Sequence, residues 1–188
     1  MRTAYAITTQ SAPSVLETDR LVLRPQSLSD AGSIAKSLSD FRVTRMLASV
    51  PAPYYKQDAL EWLILRTAGN SPDWHFAITC GDDTLIGVVS IERLRDAWRL
   101  GYWLDRAHWG KGYMTEAVAG VIECFFQHMP NEVLYSGMFA DNAASLRVQN
   151  KLGFQIIGCH EIYAVARASM VTHLDTALTA NAFQKRGP

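Results

Sequence analysis

The segment Asp105-Arg106-Ala107-His108-Trp109-Gly110-Lys111-Gly112-Tyr113-Met114-Thr115-Glu116-Ala117 passes from an apolar strand pattern into an amphipathic helix pattern through two closely spaced glycines. Such a junction constrains the chain more than any other stretch. Gly110 and Gly112 permit backbone angles that other residues resist, and they leave room for a ligand to reach the main chain. The first helical turn that follows has N–H groups without internal partners, and the helix dipole adds partial positive charge there. The junction is therefore an anion seat, with Lys111 as an added charge at its rim. A bare Gly-x-Gly also serves as a plain tight connection, so the letters alone leave both readings open.

The flanking pattern predicts a mixed layer structure. Residues 18–25 alternate Leu21 and Leu23 with polar neighbours and read as a first strand. Ser27 and Asp30 resemble a capping box opening a helix through Leu38, and a second helix is expected from Lys56 to Ala68, ended by Gly69-Asn70. Residues 39–55, with Pro51 and Pro53, read as a loop or a short helix plus loop, a natural substrate wall. The runs 74–80, 84–93 and 97–105 are separated by turn residues and predict an antiparallel meander. A helix from Lys111 to His128 is expected from Met114, Ala117, Val118, Val121, Ile122 and Phe125 at helical period. A strand at 133–139, a helix from Asn142 to Leu152 stopped by Gly153, and two last strands complete the order. The class is α+β. The expected division is an N-terminal extension over 1–16, one domain over 17–180 and a frayed tail over 181–188.

Composition narrows the function. At 188 residues the chain suits one core. Eighteen basic and eighteen acidic residues cancel, so no overall field favours nucleic acid or an anionic membrane, and no direct nucleic-acid binding is expected. No window has the apolar length of a membrane span, and residues 1–17 do not read as a secretory signal. Cys80, Cys124 and Cys159 make no even disulfide framework, which fits a reducing cytoplasm. No metal site is read, because His108, His128, His160 and His173 lack HxxxH or HExxH spacing.

Two phosphate-binding motifs fail at the glycine turn. A Walker loop needs GxxxxGK before Ser or Thr, but Lys111 precedes its glycine. A dinucleotide fingerprint needs a third glycine where Thr115 stands, and the preceding strands read as antiparallel.

The sequence resembles the GNAT acetyltransferase superfamily, and in detail its RimJ/RimL branch of ribosomal-protein N-terminal acetyltransferases. The matching letters are ETDRLVLRP, LIGVVSI, LGYWLDRAHWGKGYMTEAV and NAASLRVQNKLGF, in the family's order across residues 17–178. At the turn the family pattern is Q/R-x-x-G-x-G/A; Gly110 and Gly112 fit, and Ala107 replaces Gln or Arg. The resemblance implies one twisted, mostly antiparallel sheet of about seven strands, flanked by about four helices, whose fourth and fifth strands splay apart. It implies acetyl-CoA as co-substrate, lying in that splay, with pantetheine amides on Tyr102, Trp103 and Leu104. The diphosphate would sit on Gly110, Lys111, Gly112, Tyr113, Met114 and Thr115. Asn142 would bind the cofactor arm and Ser145 would face the thioester. The acceptor would be a primary amine, either a protein N-terminus or a small molecule, and pairing as a homodimer is a further implication.

Acetyl transfer to an amine requires the amine to lose a proton, the oxyanion to be held and the sulfur to be protonated. A backbone N–H near Trp103 or Leu104 is the expected oxyanion donor. Candidate thiol acids are Ser145, Tyr135 and Tyr163. Candidate bases are Glu92 and Glu161, with His75 or His160 relaying through water. Cys124 lies in an apolar stretch without an activating His and acid, so direct transfer in a ternary complex is favoured over an acetyl-cysteine. Trp62, Trp74, Tyr54 and Tyr55 would limit the acyl group to a small one if they line the pocket. The alternative to an enzyme is a domain that binds acetyl-CoA as a sensor or interaction module without turnover.

Overall fold

A computed structural model describes residues 13–67 and 72–184. The strands are β1 (Leu16–Glu17), β2 (Val22–Pro25), β3 (Trp74–Thr79), β4 (Leu85–Leu94), β5 (Ala97–Leu104), β6 (Val133–Phe139), β7 (Gln155–Ala164) and β8 (Ser169–Thr179). The α-helices are α1 (Ala31–Leu38), α2 (Phe41–Thr44), α3 (Lys56–Thr67), α4 (Tyr113–His128) and α5 (Ala143–Leu152). The strands form one sheet in the order β1-β2-β3-β4-β5-β6-β8-β7. Only β5 and β6 run parallel, joined by the crossover helix α4. Every other neighbouring pair is antiparallel, including the β3-β4-β5 meander.

Among the described residues, eight strands and five α-helices stand where about seven and about four were expected, for local reasons. The first strand pattern is broken by a turn in which the Thr18 N–H reaches Leu21 O at 2.9 Å, leaving β1 and β2 as separate strands. The 39–55 segment contains the short α2, whose cap is Asp40 accepting from the Arg42 N–H at 3.0 Å. The expected end of α3 at Gly69-Asn70 and the last four residues lie outside the described residues. Residues 181–184, expected as tail, pack against the body: Gln184 N–H donates to Leu152 O at 3.1 Å and the Phe183 ring centroid lies 6.3 Å from that of Phe126.

Each face of the sheet carries its own core. On one face α4 contributes Ala117, Val118, Val121, Ile122 and Phe125, all fully buried, against Trp74, Phe76, Ile78 and Ile91. Their spacing is that of one helix stripe. Trp74 and Trp98 both meet Phe125 edge-on, at 6.0 and 5.7 Å between centroids. On the other face α1 and α3 bring Ile34, Leu38, Ala59 and Leu63 onto Ala77, Leu85 and Val88. The middle strands β3 and β4 are covered on both sides, which is why their sequences read as nearly continuous apolar runs.

Candidate active site

The cleft begins where β5 and β6 part. Their parallel pairing is confined to Trp98↔Leu134 and Arg99↔Tyr135. Just beyond, the Ser136 hydroxyl donates to Leu100 O at 3.1 Å, Gln149 Nε2 donates to Ser136 Oγ at 3.0 Å, and Thr176 Oγ1 donates to Gln149 Oε1 at 2.7 Å. This buried polar chain closes the bottom of the splay with its groups satisfied. Further along, β5 stays paired to β4 as far as Gly87↔Leu104. Its β6-facing groups, the amides of Tyr102 and Leu104 and the carbonyl of Tyr102, therefore have no strand partner and are available to an extended ligand with amides of its own.

At the end of β5, Trp109 Nε1 donates to Leu104 O at 2.8 Å and turns the chain toward α4. Gly110 and Gly112 adopt φ of 75° and 80°, the left-handed region that glycine alone enters without strain. Gly112 is the N-cap of α4, and the first helical bond runs from the Glu116 N–H to Gly112 O at 3.1 Å. The amides of Tyr113, Met114 and Thr115 precede that bond and open into the cleft. The first turn is braced by a segment whose role sequence reasoning missed. Thr18 Oγ1 and the Arg20 N–H both donate to Glu116 Oε1, at 2.6 and 2.8 Å, and the Arg20 guanidinium meets Glu116 Oε2 at 2.6 Å. Burial pushes the Glu116 carboxyl up, but these bonds outweigh it and hold the group below its ordinary value. Arg20 also donates to Lys111 O at 3.0 Å and lies over the Tyr113 ring.

The far wall is α5. Asn142 caps it by accepting the Ser145 N–H on Oδ1 at 3.1 Å, which leaves the Asn142 side-chain NH2 for the cleft. Ser145, one turn in, is buried, and its hydroxyl lies 2.6 Å from that of Tyr102 on β5. Burial pushes the Tyr102 phenol above its ordinary value, with Ser145 and Gln149 bonding in the opposite sense.

The resulting cleft has a volume of about 630 Å³. Its lining takes in Tyr102, Trp103, Leu104, Gly110, Gly112, Tyr113, Met114, Thr115, Asn142 and Ser145, all named from the sequence. Val43, Met46, Leu47 and Ala48 form one wall, as expected for the 39–55 segment. That wall is clipped to the β7–β8 end by the Val165 N–H on Ala48 O at 3.0 Å and by Asp141, which pairs with Arg45 and Arg167 at 2.9 and 3.0 Å.

Other sequence-named residues are not brought to the cleft. Lys111 is exposed, with Nζ 6.0 Å from the Tyr113 ring, outside the lining. Glu92 is held by Arg66 at 3.2 Å and stands 3.9 Å from His75, on the α3 side of β4. Burial pushes His75 below its ordinary value despite the nearby carboxylates. Tyr135 opens onto a separate shallow depression beside Arg99, because its strand position alternates away from Leu134 and Ser136. Tyr163 is exposed on β7, and Trp62, Trp74, Tyr54 and Tyr55 are absent from the lining, so they set no limit on the acyl group. Cys124 is buried in the main core, where burial pushes its thiol up.

Spacing along one element also missed a cross-strand cluster. His160 on β7 is in register with His173 on β8, and Asp175 lies two residues on. Their potential ligand atoms all fall within 4.8 Å of one another, so the absence of HxxxH spacing does not exclude a set of metal-type donors. His173 lines the cleft; His160 is half exposed. No helix among the described residues is long and apolar enough to cross a membrane.

Comparison with known proteins agrees with this geometry. The probable N-acetyltransferase YjcK of Bacillus subtilis is 42% identical over 87 residues, covering 44% of this chain and 48% of that relative. The match therefore spans about half of that relative's length. Among solved structures, the ribosomal-protein-S5-alanine acetyltransferase from Vibrio fischeri superposes with a TM-score of 0.76 at 20% identity, covering 92% of this chain and 100% of that one. Mycobacterium smegmatis RimJ in complex with CoA-disulfide gives a TM-score of 0.76 at 17% identity, covering 90% and 88%. Residues 20–155 match the family described as acetyltransferase (GNAT) domain, and the chain belongs to that family.

Proposed function

We propose that the protein transfers acetyl from acetyl-CoA to a primary amine, a protein N-terminus or a small molecule, by direct attack in a ternary complex. The observation that carries this reading is the continuity of one cleft. The first-turn amides at the mouth of α4, the unpaired edge of β5 and the Tyr102–Ser145 hydroxyl pair follow one another along it. They match in order the diphosphate, pantetheine and thioester of acetyl-CoA. A structural neighbour that carries CoA-disulfide and a family of acetyltransferases support the same cofactor.

In this reading the backbone N–H groups of residues 110–115 take the diphosphate charge, and Thr115 adds a hydroxyl. The free edge at Tyr102 and Leu104 pairs with the pantetheine and offers an N–H to the developing oxyanion. The neutral amine attacks the thioester carbonyl carbon and the C–N bond forms. Collapse of the tetrahedral species breaks the C–S bond, and Ser145 gives the departing sulfur its proton. Tyr102, kept protonated by burial, replaces the proton on Ser145, and the proton that leaves the attacking nitrogen restores Tyr102. Glu92 and Tyr135 are assigned no step.

The test is a thiol-release assay with acetyl-CoA against peptides of varied N-terminal residue, polyamines and aminoglycosides. Release that depends on one amine class supports the reading and names the acceptor. Cofactor binding with no release in any class overturns it and leaves a sensor.

A further inference from the structure

The amine must lose a proton before it attacks; His173 lines the cleft at the splay, whereas His108, the other histidine in the lining, sits on the turn before α4. β5 and β6 each present a glycine, Gly101 and Gly137, on the face turned away from α5. Gly101 opposes Ser90 and Gly137 opposes Asp175 in the strand register. Gly137 lies two residues past the last β5–β6 pair, so it stands at the opening of the splay. A Cβ there would come within 2.3 Å of His173 Cε1 and 2.8 Å of His173 Nε2. The missing side chain is therefore the space that the His173 imidazole fills.

Behind that ring is a path to solvent. His173 Nδ1 stands 3.4 Å from Asp175 Oδ1, while His160 Nδ1 stands 3.0 Å from Asp175 Oδ2. Asp175 thus faces both imidazoles through their Nδ1 atoms. Among the described residues the His173 Nδ1 makes no hydrogen bond but lies beside that carboxylate, whose charge favours a proton on Nδ1 and a lone pair on Nε2, the atom over Gly137. The His173 side chain is 14% exposed and that of His160 is 52% exposed, so the cluster runs from the cleft to water.

We propose that His173 is the general base of the acetyl transfer, with Asp175 orienting it and His160 passing the proton to solvent. The inference rests on the acetyl-transfer reading above. An incoming ammonium gives one proton to His173 Nε2, and its nitrogen pair then attacks the thioester carbon. The second proton leaves the nitrogen as the tetrahedral species collapses and restores the Tyr102–Ser145 pair, which has given its own proton to the sulfur. The net products are amide, thiol and one proton released through His160.

The groups facing His173 set its charge. Burial lowers its affinity for a proton, as do His160 on β7 and Arg99 on β5, whereas Asp175 on its own strand raises it. The net direction is below the ordinary value of 6.5, so the imidazole is neutral and able to accept at neutral pH. Phe139, beside it on β6, carries no charge, and the Arg167 guanidinium lies over the opposite ring at 4.6 Å from its centroid.

The experiment compares the wild type, His173→Gln and Asp175→Asn, with acetyl-CoA and two amine probes, spermidine and a serine-initiated peptide, across pH 5 to 9. Coenzyme A affinity by calorimetry is measured for each as a check on folding. The expected result is an acid limb in wild-type kcat/KM centred below 6.5. His173→Gln should lower kcat on the order of 10²-fold with unchanged coenzyme A affinity, lose that limb and recover in part at high pH. Asp175→Asn should lower kcat by a smaller factor than His173→Gln and move the limb to lower pH, because the carboxylate both orients the ring and raises its affinity for a proton. Wild-type kcat and an unchanged limb in His173→Gln would overturn the proposal while leaving acetyl transfer intact. Inactivation by EDTA with rescue by zinc would also overturn it, making the cluster a metal site. A wild type that binds coenzyme A but acetylates neither these probes nor the wider panel would sink the acetyl-transfer reading itself.

Discussion

The hydroxyls of Tyr102 and Ser145 lie 2.6 Å apart, joining β5 to α5 across the cleft. Both residues line the cleft, Ser145 buried and Tyr102 half-buried, and each hydroxyl is the other's partner. Ser145→Ala should lower kcat on the order of 10²-fold, because the thiolate loses its nearest proton donor. Tyr102→Phe should lower kcat about tenfold, with acetyl-CoA KM nearly unchanged. A thiol-release assay at saturating acceptor checks both, and a Tyr102→Phe enzyme of full activity would show that Ser145 needs no supply.

Gly112 caps α4 at φ 80°. Gly112→Ala places a side chain in the left-handed region, at a cost of roughly 1–2 kcal/mol, and its Cβ would stand 3.4 Å from Arg20 Nη2. The turn should distort before the helix does. Acetyl-CoA KM is expected to rise about tenfold, with a smaller change in kcat. Steady-state kinetics with varied acetyl-CoA decides it.

Glu116 ties the first turn of α4 to Thr18 and Arg20. Glu116→Gln keeps the shape but removes the charge that holds Arg20. Coenzyme A affinity should fall a few-fold, since the amides lose their brace while remaining present, and the loss should shrink for Glu116→Asp. Calorimetry on the two variants separates a bracing role from a purely electrostatic one, in which removing a carboxylate near the diphosphate would raise affinity.

Away from the cleft, the Asp30 carboxylate is almost fully buried and is gripped by Arg24 at 2.7 Å and by the Ser27 N–H at 2.9 Å. Burial pushes Asp30 up, and the Arg24 and Ser27 bonds outweigh it, leaving the group below its ordinary 3.8. The native state then binds fewer protons than the unfolded one. Its stabilisation is present above pH 4 and lost as pH falls through the depressed native value. Arg24→Met should destabilise by about 3–5 kcal/mol at pH 7 by leaving a buried charge unpaired, and the difference should narrow in acid as Asp30 takes a proton. Urea melts at pH 7 and pH 4 measure it.

Much of this was legible in the sequence because it depends on local periodicity. The β6 run 133–139, the apolar stripe of α4 and the glycine at the end of α5 each announce themselves within one element. The glycine turn proposed to seat the diphosphate was legible for the same reason, since its glycines and helix amides are consecutive. What the letters hid was built from residues far apart in the chain. Tyr102 was named only for its backbone, because nothing in its own strand signals a hydroxyl 43 positions away. His173 lacks helical metal spacing and was passed over, yet strand register sets it opposite His160. Glu92 looked suited to a base until register turned it toward Arg66 on α3. The break before β2 is a local turn between Thr18 and Leu21, and what the letters hid is that Thr18 also donates to Glu116, a partner nearly 100 residues on.

The central claim is that main-chain amides at the mouth of α4 hold the diphosphate of coenzyme A. Titration calorimetry with coenzyme A and with pantetheine, which lacks the diphosphate, tests it most directly. Charge-assisted bonds contribute about 1.5–3 kcal/mol each, so coenzyme A should bind on the order of 10²-fold or more tightly than pantetheine. Gly112→Ala should erode that difference. Equal affinity for the two ligands, or no affinity for coenzyme A, would contradict the account.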